Sequence, residues 1–157
     1  MEKETQKGEV FRSSDVNTMS IDNEELVRRL KKPVGMVDVV LDTDNEIDDQ
    51  FALAYLIKSD EKLNLKAIYA APFYNEKSTG PKDGMEKSYE EIMNVLSLMG
   101  REDLKAAVYK GSEKYLPSEK EAVDSPAASD LVERARSYSK ENPLYVIAIG
   151  AITNIAS

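Results

Sequence analysis

The sequence predicts an α/β fold, an open, mostly parallel sheet flanked by helices, and two observations carry that expectation. Four short apolar runs of strand type alternate with three segments of helical periodicity, the pattern in which crossover helices join parallel strands. The unusual polar residues all fall where one of those runs turns into the next helix, which is where such sheets hold their ligands.

The elements follow in order. Residues 1–19 are polar and without periodicity, and are expected to form a disordered arm. Residues 20–35 read as a short edge helix and linker. Asp22 is placed to cap it and Glu25 to complete a capping box, Leu26 and Leu30 follow at i, i+4 spacing, and Pro33 and Gly35 end it. Residues 37–41 are β-branched and apolar, as in a strand buried on both faces. A helix is expected over 47–57 and a second strand over 63–70. Residues 72–84, with two prolines and two glycines, are expected to form a long loop. The next helix covers 85–99, with Ile92, Val95, Leu96 and Met99 on one face and Gly100 just past its end.

A third strand is expected over 106–109, closed by Gly111, and a charged irregular stretch over 112–124. A helix starting at Ser125-Pro126 carries Leu131, Val132 and Ala135. The last strand covers 144–149 and ends at Gly150. Residues 151–157 resemble the start of another helix, with Thr153 or Asn154 at its cap. The Rossmann-like sheet is therefore expected to be truncated after its fourth strand, and residues 36–157 to be the N-terminal portion of a larger α/β domain. Tyr55, Tyr69, Tyr109 and Tyr145 lie within expected elements and read as packing residues.

Composition narrows the chemistry. The 157 residues suit one domain, with 41% hydrophobic and 32% charged residues. There is no cysteine, histidine or tryptophan, which excludes thiol chemistry, zinc ribbons and the commonest general base near neutral pH. With 21 basic and 29 acidic residues, the net charge of −8 argues against nucleic acid or an anionic membrane as partner. No targeting or spanning segment is visible, so the expected location is the cytoplasm. Catalysis is left to carboxylates, amides, hydroxyls and backbone.

The sharpest feature is Asp42-Thr43-Asp44-Asn45-Glu46-Ile47-Asp48-Asp49, five acids in eight residues. It begins at the end of a buried strand and runs into the first turn of a helix. Asp42 and Asp44 are expected to point to one side of the strand, and Asp48 and Asp49 to lie at the helix N-terminus. Carboxylates converging in a partly buried cleft repel one another unless a cation neutralises them. Ca²⁺ or Mg²⁺ takes oxygen ligands and needs no histidine or cysteine. The run is not an EF-hand, because Ile47 stands where glycine is required and Leu53 where the bidentate glutamate belongs.

The pattern Asp42-x-Asp44-x3-Asp48-Asp49-x2-Ala52 resembles the N-terminal signature of the inosine-uridine-preferring nucleoside hydrolases. Ile149-Gly150-Ala151-Ile152-Thr153-Asn154 is similar to that family's G-x-x-T-N segment, and Asn75 falls where the family places a pocket asparagine. The resemblance implies a Ca²⁺-dependent hydrolase that splits a ribonucleoside into ribose and free base, with a place in purine and pyrimidine salvage. Asp44 matches the acid that binds calcium and orients or deprotonates the attacking water. Asp49 matches a second calcium ligand, and Ile149 the position that offers calcium its backbone carbonyl. Asp48 and Asn75 match contacts to the ribose, and Asp42 would support the residues that hold the calcium. A homo-oligomer stays open for the full-length form.

Two departures stand out. Asn45-Glu46 replaces the family's Pro-Gly, so the turn geometry is expected to differ and Glu46 to add charge at the site. The family's C-terminal half supplies a further calcium-binding aspartate and a histidine that protonates the leaving base, and this sequence holds no histidine. The 157-residue chain alone is thus expected to bind calcium weakly and to hydrolyse little.

Two other readings are open. An apolar strand ending in Asp42-x-Asp44 also resembles the first motif of haloacid-dehalogenase-like Mg²⁺-dependent phosphatases, with Asp42 as nucleophile and Asp44 as general acid. The third is a non-catalytic remnant that binds metal or nucleoside. Phe73 and Tyr74 are candidates to flank a substrate. Lys77, Ser78, Thr79, Lys82 and Lys87 form no phosphate-binding motif and read as a solvated loop. Asn154 reads as a helix cap.

Overall fold

The protein is described by a computed structural model over residues 22–157. The arm expected at residues 1–19 lies outside the described residues. The described residues fall into two units, one ending at Pro33 and the other spanning Val34–Ser157.

In the first unit, α1 (Asn23–Arg29) has the expected Asp22 cap. The Asp22 carboxylate accepts the backbone N–H of Glu25 at 2.7 Å, supplying a partner to one of the amides a helix start leaves open. The Glu25 carboxylate is engaged by Arg28 and Arg29, one turn further on, and among the described residues does not complete the expected capping box.

The second unit is a four-stranded sheet in the order β3-β2-β1-β4, with every neighbouring pair parallel. Its elements are β1 (Val37–Thr43), α2 (Ile47–Lys58), β2 (Leu63–Ala70), α3 (Pro81–Leu98), β3 (Val108–Lys110), α4 (Pro126–Ala135) and β4 (Tyr145–Ala148). The open α/β architecture expected from sequence is the one observed. Right-handed crossovers decide where the helices go. Strands β1, β2 and β3 step outward in one direction, so α2 and α3 share one face. There Leu53, Leu56 and Ile57 of α2 and Met85, Ile92 and Leu96 of α3 pack on Leu41, Ile68 and Val108. The chain then returns past β2 and β1 to add β4, and α4 takes the other face, with Ala127 packed against Val40, Ala67 and Tyr69. The direction of winding reverses between β1 and β4, and the carboxyl ends of those two strands form a topological switch point.

Several boundaries depart from expectation for definable reasons. β1 continues two residues past its apolar run because Asp42 and Thr43 are both buried and still pair with Tyr69 and Ala70. The loop after β2 spans only residues 71–80, since Pro81 opens α3 from its first turn. Gly84, expected in that loop, lies inside α3. It lets the helix approach Phe73 so closely that a Cβ there would sit 1.9 Å from the Phe73 carbonyl oxygen. Ala106 and Ala107 belong to a 3₁₀ turn (Glu102–Ala107) that leads into a shorter β3. In α4 the buried residues are Ala127 and Ala128, while Val132 is exposed. Tyr69 is buried and meets Tyr109 edge to face at 5.9 Å, whereas Tyr55, expected to pack, is 69% exposed on the outer side of α2. Among the described residues no helix is long and apolar enough to cross a membrane.

The contact at Gly84 is against backbone, which cannot swing aside. Gly84→Ala is expected to lower stability by at least about 1–3 kcal/mol, read as a drop in the urea midpoint at unchanged m-value. A midpoint equal to that of the parent would show that α3 can shift away from Phe73.

Candidate active site at the switch between β1 and β4

β1 delivers Asp42 and Thr43 to the carboxyl edge of the sheet, side by side in sequence and therefore on opposite faces. The pairing with β4 continues past Ala148, where Ile149 N–H donates to the Asp42 carbonyl at 2.9 Å. This sets Ile149 at the mouth of the switch. Gly150 follows so near the turn that a Cβ on it would lie 2.9 Å from the Asp44 nitrogen.

Thr43 organises the turn on the α2 face. Its hydroxyl accepts the Asn45 N–H at 2.9 Å and donates to Asp49 Oδ2 at 2.7 Å. Asp49, in the first turn of α2, is thereby aimed back at the end of β1. The turn bends at Asn45, a residue that tolerates a left-handed backbone. Asn45 takes the left-handed φ of 53°, and Glu46 sits at φ −65°, ψ 178°, ordinary extended backbone. From α3, Ser88 Oγ lies 2.8–2.9 Å from the carbonyls of Asp44, Ala71 and Gly84. Its one proton serves a single carbonyl at a time.

Asp44 and Asp49 come together here. Burial and then the adjoining Asp49 carboxyl raise the Asp44 carboxyl to about 6, because two acids that share a site cannot both ionise freely. Asp42 lies beneath, fully buried, and loss of water pushes its carboxyl up to about 7 against the pull of a hydrogen bond from Asn154. Asp42 Oδ2 and both side-chain polar atoms of Asn45 are buried without a hydrogen-bond partner.

Asp48 is exposed on the first turn of α2, where its charge reaches Lys77. Asn75, in the loop after β2, is half-buried and bonded through its Nδ2 to Glu46 Oε2 at 3.1 Å. Glu46, expected to add charge at the site, is neutralised by Lys77 Nζ at 2.8 Å, and that ammonium holds its carboxyl below the usual range. A hollow of about 310 Å³ opens from Asp44 toward α3, bordered by Glu46, Phe73, Lys77, Lys87 and Asn94. Phe73 thus borders open space beside Asp44, while Tyr74 is exposed.

Asn154 proves to be more than a helix cap. The segment after β4 is a 3₁₀ turn, Ile152–Asn154, that buries Thr153 and Asn154. Asn154 Nδ2 donates to Asp42 Oδ1 at 2.8 Å and to the Ala70 carbonyl at 3.3 Å. Its Oδ1 accepts from Ser112 N at 2.7 Å, Ser112 Oγ at 3.0 Å and Ser125 Oγ at 3.4 Å. One amide thus joins β1, β2, the turn after β3 and the cap of α4. The only signal for it in the sequence is the Thr-Asn pair of the strand-end segment.

The donors fit a hard cation in kind, since they are carboxylates and a backbone carbonyl. They fall short in number. Among the described residues no group of three or more acidic side chains is arranged to hold a metal ion. The donors expected from the sequence number three, Asp44, Asp49 and the carbonyl of Ile149, against roughly six to eight oxygens for Ca²⁺. No protein-family model matches the chain, and the curated proteins contain no significant match to it.

Asp42 and Asp44 hold protons more tightly in the folded chain than at the unfolded value of 3.8, so the folded state binds more protons between that value and about 7. Their contribution is complete below 3.8 and is lost as pH rises through about 6 and about 7. Asp38, held below the usual range by Tyr138, changes its contribution only at more acid pH. Thermal midpoints in EDTA should therefore fall from about pH 5 to about pH 8, and Asp42→Asn should flatten the upper part of that slope. A midpoint that climbs over the same interval refutes the assignment. Asn154→Ala strips Asp42 of its partner and frees three donors, and should cost roughly 2–4 kcal/mol by urea denaturation. A loss under about 0.5 kcal/mol, typical of surface positions, would deny the residue its central place.

Proposed function

We propose that this chain carries the N-terminal half-site of a Ca²⁺-dependent N-glycoside hydrolase acting on ribonucleosides. One observation carries the reading. Asp44 and Asp49 converge at the switch between β1 and β4, with Asp48 and Asn75 on the two segments that border them. The likeness of the acid run to the nucleoside hydrolase signature points the same way.

Calcium, when bound, would lower the pKa of a coordinated water and hold that water toward the sugar. Asp44, Asp49 and the Ile149 carbonyl would hold the ion. The remaining chemistry falls to the chain's own groups. Asp44, with a carboxyl near 6, is suited to accept the proton of the attacking water near neutral pH. Asp48 and Asn75 would bind the ribose hydroxyls, and the carboxylates would favour the oxocarbenium-like transition state of glycosidic cleavage. Asp42 would act from below, as the buried support under Asp44. These residues include no histidine, so this half-site would not itself protonate the leaving base, a role the resembled family gives to its C-terminal half. Ribose and a free base as products would place the reaction in cytoplasmic nucleobase salvage. The phosphatase reading is weaker, because it needs Asp42 as a nucleophile and that carboxyl is fully buried against Asn154.

Calorimetric titration of the purified chain with CaCl₂ tests the reading. The expected Kd is weak, about 10⁻⁴–10⁻³ M, as for sites with few protein ligands, and binding should release protons as the ion displaces them from Asp44. Asp44→Asn and Asp49→Asn should each weaken calcium at least about tenfold, a loss in the range expected for one charged ligand. Asp48→Asn should spare calcium and lose ribose. A parent chain that takes up no calcium at millimolar concentration would leave only an inert α/β remnant.

A further inference from the structure

Glu46 occupies the N-cap of α2, yet its side chain makes no capping hydrogen bond there. A serine or aspartate in its place would serve α2's own open amides. The Glu46 carboxylate instead crosses to the loop of residues 71–80. Oε1 accepts from Lys77 Nζ at 2.8 Å and Oε2 from Asn75 Nδ2 at 3.1 Å. Asn75 closes the ring from the other side, because its Oδ1 accepts the Lys77 backbone N–H at 2.9 Å. The Lys77 carbonyl is tied to α3 by Lys87 Nζ at 2.7 Å, and Ser78 N–H donates to the Asn75 carbonyl at 3.1 Å.

A residue that gives up a local role of this kind is compensated elsewhere, and here the gain is order in the loop. A primary amide carries two N–H groups. Glu46 takes one from Asn75 and leaves the other, with Oδ1 lone-pair capacity, for a ligand. The ion pair alone is worth little, since Lys77 is 57% exposed and Glu46 28%. The fixed amide is the part that matters for recognition, because a preset donor loses less freedom on binding.

We propose that Glu46 is a positioning residue that acts through Asn75, holding the 71–80 loop against the N-terminus of α2 so that the free Asn75 N–H faces a ribose hydroxyl. This inference rests on the ribonucleoside reading above. Its opposite is that Glu46 competes with the sugar for Asn75, and the two predict changes of opposite sign.

The test uses the whole chain in CaCl₂, titrated with ribose and with inosine, beside two variants. Glu46→Gln keeps an acceptor for Asn75 and drops the charge facing Lys77, whereas Glu46→Ala removes both. Ribose affinity should fall about tenfold in Glu46→Ala and only about threefold in Glu46→Gln, the scale of one lost hydrogen bond and its partial rescue. Calcium affinity should stay within about twofold in both, which a general loss of structure would not allow. Unchanged or tighter ribose binding in Glu46→Ala overturns the proposal. If the parent chain takes up neither sugar, the ribonucleoside reading fails on its own account, and hydrogen exchange then decides on Glu46. The Lys77 and Ser78 amides should exchange at least about tenfold faster in Glu46→Ala, and equal rates would overturn the proposal.

Discussion

The buried carboxyl of Asp42 and the amide of Asn154 that faces it hold the carboxyl edge of the sheet together. Asp42 lies on the central strand of the switch, without access to water, and Asn154 Nδ2 is its hydrogen-bond donor at 2.8 Å. A carboxyl in that position resists ionisation and also resists replacement by an apolar group, because Asn154 would then keep an unpaired donor. Through its other bonds the same amide sets the height of the turn after β3 and of the Ser125 cap of α4. The geometry above Asp42 is built on this floor. Gly111 shows how tightly it is packed, since a Cβ there would come 2.0 Å from the Ala70 carbonyl oxygen and 2.4 Å from Asn154 Nδ2.

Above that floor, five neighbouring acids are sorted by environment. Asp42 is pushed by burial up to about 7 and Glu46 is neutralised by Lys77. Asp48 stays in water, and Asp49 accepts a hydrogen bond from Thr43. Asp44 is left as a half-buried carboxyl beside Asp49 whose protonation changes close to neutral pH. Groups pushed apart in pKa by their surroundings can take different roles in one reaction. Identical side chains a few residues apart therefore have different chemistry, and the difference comes from the fold.

Much of that fold was legible along the chain, where the signal was local and strong. The apolar pattern marks both boundaries of β2, and α2 to within one residue of its end, because periodicity reports a buried face directly. The failures share a cause. Gly84 reads as a loop residue by propensity, but α3 contains it because the helix needs a gap for the Phe73 backbone. Ala106 and Ala107 fit a strand by composition, yet the chain must turn there to enter β3 in register with Ile68. Asp42 and Thr43 read as polar residues past the end of β1, yet pairing with β2 and burial hold them in the strand. In each case a contact distant in sequence overrode the local preference.

The site divides along the same line. Asp44 and Asp49 are five residues apart and joined by a strand-to-helix turn, so their approach could be read from spacing. The partners that give these acids distinct states could not. Asn154 lies 112 residues from Asp42 and Asn75 lies 29 from Glu46, separations across which residue spacing says nothing about contact. A motif search sees the charges but not the amides and hydroxyls that orient them, since Thr, Ser and Asn are common residues without a signature of their own. Thr43 illustrates the limit. Between two aspartates it reads as a spacer, and only the turn of the chain makes its hydroxyl the link from Asn45 to Asp49. What the acid run means chemically is thus set by neutral residues that the topology brings to it.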